Sequence, residues 1–159
     1  MKCVIPVLAL AALSSPAAAQ VPRWHAVGVD SSGVVAIRDA ASYRYLDDGR
    51  IETEAAYWMT ELSEVELDTG VFWPRLATFA VAVDCVEETI EPTRTTLLDD
   101  TFQVVATQDL DGGAVTPETE LEHRMLQAVC ADPGQQGHIL GSYNSVRQFG
   151  GRARLLVQP

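Results

Sequence analysis

Apolar and polar positions alternate through residues 50–62. Ile51, Thr53, Ala55, Tyr57 and Met59 fall on one side, and Glu52, Glu54, Ala56, Trp58 and Thr60 on the other. Period two predicts a strand with one wetter face. Residues 76–85 are more apolar throughout, and Phe79, Val81, Val83 and Cys85 share a face. This is the expected core strand, and it aims Cys85 inward. Residues 24–29 and 34–38, separated by Asp30-Ser31-Ser32-Gly33, predict a hairpin. Residues 39–42 read as a turn or a single helical turn and 43–46 as extended. Further strands are expected at 93–98 and 102–107, either side of Asp99-Asp100. Residues 63–74, broken by Gly70 and Pro74, read as a loop, and 86–92 as a loop or a wide hairpin connection.

The pattern then changes period. Thr116 is placed as an N-cap and Pro117 as the first helical residue, with Glu118 and Glu120 at the positive end of the helix dipole. Leu121, Met125, Ala128 and Val129 form a stripe at helical spacing, and the helix is expected to end near Cys130, before Asp132-Pro133-Gly134. About six strands followed by one helix make an α+β plan: an antiparallel sheet with a helix on one face. The domain is drawn over residues 20–132. Residues 133–159 form a tail holding Arg147, Arg152 and Arg154, either mobile or adding a strand at 155–157.

The first residues are read as an address. Lys2 precedes a short apolar run, and Ala17 and Ala19 make an A-x-A cleavage site, giving a signal peptide at 1–19 and a mature start at Gln20. The run is too short to span a bilayer. Cys3 lies before it, where no lipid anchor is expected. Localisation is therefore read as periplasmic or secreted. Cys85 and Cys130 remain, and two cysteines in an exported chain read as one strand–helix disulfide.

The whole chain has 159 residues, 47% of them hydrophobic, and a formal charge of −11. Its one lysine is Lys2, so the exported form carries ten arginines against 22 acidic residues, a net −12. Schiff-base and P-loop lysine chemistry are excluded. The acidic excess argues against a nucleic-acid partner. No metal or other cofactor is expected: Asp109-x-Asp111 with Glu120 is a poor calcium loop, since Ala114 stands where its sharp turn needs glycine. His25, His123 and His138 show no metal or protease spacing, and no G-x-S-x-G elbow exists. The contact region is expected at an edge strand of the sheet or at the 69–75 loop, where the adjacent aromatics Phe72 and Trp73 are the candidate protein-contact residues; the other reading folds them back over the sheet.

Several segments in order resemble the surface-adhesin protein E family, small exported proteins of Gram-negative bacteria. These are Trp24-His25-Ala26-Val27-Gly28 opening a hairpin, residues 34–38 followed by Asp39-Ala40-Ala41-Ser42, Tyr57-Trp58 inside a strand, Asp84-Cys85 closing one, and Thr116-Pro117 leading a helix to Cys130. The resemblance spans residues 23–130. It implies an antiparallel sheet with a disulfide-held helix and a non-catalytic binding module; the namesake's partners are host extracellular-matrix and serum proteins. The alternative is a small periplasmic enzyme or enzyme accessory using acidic groups or His123.

Overall fold

A computed structural model describes residues 23–131 and 139–157. The signal peptide, its cleavage point, Cys3 and His138 lie outside the described residues. The observed strands are β1 (Trp24–Val29), β2 (Gly33–Arg38), β3 (Arg44–Tyr45), β4 (Ile51–Met59), β5 (Val65–Leu67), β6 (Gly70–Phe72), β7 (Leu76–Asp84), β8 (Thr89–Leu98), β9 (Val104–Asp109) and β10 (Gly141–Tyr143). The helices are α1 (Glu120–Cys130) and α2 (Val146–Val157). One antiparallel sheet runs in the order β10-β1-β2-β4-β7-β8-β9, with β3 also paired to β4, and β5–β6 form a separate hairpin. The α+β antiparallel plan holds, with more strands than the expected six and two helices instead of one.

Both sheet faces are covered. On one, Val27, Val35, Ile37, Ala55, Val81 and Val83 pack under Leu121, Met125 and Val129 of α1. On the other, Trp24, Ala26, Val34, Ala36, Ala56 and Leu76 pack under Phe149 and Ala153 of α2. Successive residues of a strand point to opposite faces, so β2, buried from Gly33 to Ile37, is apolar without alternation. The β5–β6 hairpin closes a third cluster, where Val65, Leu67 and Phe72 lie on Met59, Ala77, Leu97 and Ala106. Cys85 and Cys130 are bonded, tying the end of α1 to the end of β7.

Four local expectations are corrected. Residues 155–157 are the last turn of α2, not a strand. Its Gly150-Gly151 pair weakens the helical signal, yet a Cβ at Gly150 would meet the Phe102 ring at 2.4 Å, so tertiary packing demands the glycine. The 63–74 loop contains β5 and β6. Residues 86–92 do hold a hairpin connection, but a shorter one than expected, since β8 already starts at Thr89 and carries Pro92 opposite a register shift at Ala80/Val81; a bulge is where a strand tolerates a missing N–H. Finally, α1 is capped by Thr119, not Thr116. The Thr119 side chain accepts from the Glu122 N–H while the Glu122 carboxylate accepts from the Thr119 N–H, a capping box.

Candidate functional site

Gly28 lets α1 sit close to β1: a Cβ there would come within 2.9 Å of Arg124 Cβ and 3.1 Å of Leu121 Cδ2. The helix therefore lies over β1 and β2 rather than over the sheet centre. The strand-to-helix connection returns across β8, pinned where Ile90 and Val115 exchange both backbone hydrogen bonds, at 2.9 and 2.8 Å. Between these supports a cavity of about 260 Å³ stays open. Ala55, Tyr57, Phe79 and Val81 line its sheet side, Leu121 and Met125 its helix side, and Ile90, Pro92, Val115 and Pro117 its far wall.

The polar groups at the rim are already engaged. Tyr57 OH donates to Ser32 Oγ (2.9 Å), and Ser32 Oγ donates to Asp30 Oδ1 (2.6 Å). Asp30 Oδ1 also accepts from the Ser32 and Gly33 N–H groups. Burial raises the Asp30 pKa, but these hydrogen bonds outweigh it and hold the carboxyl below its usual value. Glu122 behaves alike: burial acts upward, and donation from the Thr119 and Glu118 N–H groups brings the net shift below the usual glutamate value. Both side chains are thus carboxylates near neutral pH, each with one oxygen held by backbone N–H groups. The cavity combines an apolar interior with one carboxylate at its rim, Glu122, while Asp30 stands behind Ser32.

The candidate contact residues separate. Trp73 is 56% exposed, whereas Phe72 is half-buried against the third cluster. His123 is exposed, and its Nδ1 lies 2.9 Å from the Thr119 carbonyl oxygen, within its own helix. The sequence pattern gives no hint of a different pair: β1–β10 pairing sets His25 opposite Ser142, with Nδ1 2.8 Å from Ser142 Oγ. Desolvation lowers the His25 pKa against an upward pull from Asp39, so the ring is neutral near pH 7. Neither His25 nor Ser142 lines the cavity described above. Among the described residues, no group of three or more His, Cys, Asp or Glu side chains could hold a metal ion, and no helix is long and apolar enough to cross a membrane.

No family model, curated protein or solved structure matches the chain. The site is therefore interpreted from its own chemistry. A cavity of about 260 Å³ exceeds the roughly 150 Å³ that holds a benzene molecule. Tyr57 and Phe79, both half-exposed, leave aromatic surface within reach of a ligand.

Proposed function

We propose that the chain is an exported, non-catalytic binding module, of the kind its resemblance to the surface-adhesin protein E family implies. It captures an apolar group, such as a side chain of a protein partner, between α1 and the sheet. The observation that carries this reading is the open apolar cavity whose rim hydroxyls, those of Tyr57, Ser32 and Thr119, are engaged within the chain. The Glu122 carboxylate at the rim favours a neutral or cationic neighbour on the ligand and disfavours a fatty-acid carboxylate. Trp73 is a second contact point on the same module, because a half-exposed indole is typical of interface anchors. The test is binding of a neutral naphthylamine dye and of short peptides with an aromatic residue beside lysine. Ala55→Leu fills the cavity and should abolish both while leaving circular dichroism unchanged. Undiminished binding to that variant would defeat the proposal.

One observation favours the enzymatic alternative: the Ser142–His25 pair, a hydroxyl within hydrogen-bond reach of a neutral imidazole. Covalent labelling of Ser142 by a fluorophosphonate, lost in His25→Ala, would support a hydrolase. Absence of labelling would remove that reading.

A further inference from the structure

Of the ten arginines, five are held in ion pairs with carboxylates, and Arg23 is hydrogen-bonded among the described residues only through its backbone, to Asp39. Arg38, Arg44, Arg50, Arg94 and Arg124 form ion pairs with Glu54, Glu52, Asp48 and Glu91, Asp109 and Glu120. Arg75 donates to the Met59 and Thr60 carbonyl oxygens. By contrast, Arg147, Arg152 and Arg154 on α2 are exposed and form no ion pair or side-chain hydrogen bond among the described residues. Acidic residues outnumber basic ones two to one in this chain, so three arginines gathered on one helix without an acidic partner stand out. The described segment from 139 to 157 contains no Asp or Glu at all.

Helical spacing gathers these charges. The residues that α2 buries are Phe149, Gly150 and Ala153; Arg147, Gly151 and Arg154 follow one another at i, i+4 and i+7 on the outer side, beside Gln148, Arg152 and Leu155. Arg147 and Arg154 start about 10 Å apart along the axis. Nothing lies within 4 Å of a Cβ built on Gly151, which leaves a notch between them. Leu155 is 52% exposed on the same side. A guanidinium row containing an exposed leucine suits an interface that is both anionic and partly apolar.

We infer that the outer face of α2 docks on an anionic phospholipid surface, with the three guanidiniums on headgroup phosphates and Leu155 among the upper acyl carbons. Charge complementarity selects this occupant, and the mixed face separates it from a purely acidic polypeptide. The negative charge of the rest of the molecule turns the α2 face toward the membrane. At physiological salt that opposing charge is screened beyond about 8 Å, whereas groups at the contact are not. This inference is independent of the cavity on the opposite face.

The test is co-sedimentation of the exported protein with phosphatidylcholine vesicles, with and without 30 mol% phosphatidylglycerol, at low and physiological salt. Binding is expected only with phosphatidylglycerol. It should weaken about five-fold for each arginine changed to serine, and roughly a hundred-fold in Arg147→Ser/Arg152→Ser/Arg154→Ser. The corresponding triple lysine variant keeps most of the binding. Circular dichroism and melting temperature check that each variant is folded. Equal sedimentation of wild type and triple serine variant, or no binding to anionic vesicles at low salt, overturns the inference. Capture by poly-glutamate without vesicle binding overturns it in favour of an acidic polypeptide.

Discussion

Removing the Cys85–Cys130 bond should cost more than its single position suggests. The bond closes a loop with a sequence separation of 45. Loop-closure entropy for that length amounts to about 4 kcal/mol at 25 °C. Without the tether, α1 depends on Leu121, Met125, Leu126, Ala128 and Val129. Their gross burial is worth about 10 kcal/mol, similar in size to the entropy of ordering eleven helical residues at about 1 kcal/mol each. Packing and ordering nearly cancel, so the crosslink decides whether α1 stays seated. Cys85→Ser/Cys130→Ser is therefore expected to melt about 15 °C below the oxidised wild type, taking about 4 °C per kcal/mol for this size. Hydrogen exchange should show α1 amides losing protection before those of β4 and β7. A reduced protein melting within 2 °C of the oxidised one, or keeping its α1 amides equally protected, would refute the reasoning.

Phe149→Ala should lose about 3–5 kcal/mol by urea unfolding, because Phe149 is fully buried under the sheet; a change below 1 kcal/mol would mean that α2 is dispensable to the core. Thr119→Ala removes the N-cap of α1 and should cost about 1 kcal/mol, measurable in the same assay. Glu122 has its folded pKa depressed, so its contribution is present above the usual glutamate range and lost as pH falls through the folded value; the stability gap between wild type and Glu122→Gln should hold from pH 7 to 5 and shrink below. Trp73→Ser should stay within 0.5 kcal/mol of wild type, while Phe72→Ser, which uncovers the third cluster, falls further; equal losses would contradict their different burial.

Much of the sheet was legible because its strands carry period two. β4 and β7 were read with correct faces, since Glu52 and Glu54 mark the wet end of one side while Phe79, Val81 and Val83 mark the dry side of the other. The bonded cysteines were legible from their count and placement. The second helix was harder to read, although a trace of it existed: Val34-Val35-Ala36-Ile37 lacks alternation, which requires cover on both faces. Its own sequence hid it because Gly150 answers to Phe102 rather than to helix propensity. The cavity left no local mark. It arises from how closely Gly28 admits α1 and where Val115 meets Ile90, contacts between segments far apart in the chain.

The pairing of Trp24 with Tyr143 also constrains the timing of folding. The first described strand receives its second neighbour only from the last one, across more than a hundred residues of intervening chain. Such closure is slow, because the ordering entropy of the long loop precedes any reward from contact. Until residues 141–157 arrive, β1 presents an open hydrogen-bonding edge beside an apolar face holding Trp24 and Ala26. A partly synthesised chain is for that interval a template for other extended chains. Holding it unfolded until its end has emerged, or shielding that edge, would suppress aggregation, and the yield of soluble protein should respond to that shielding more than to native-state stability.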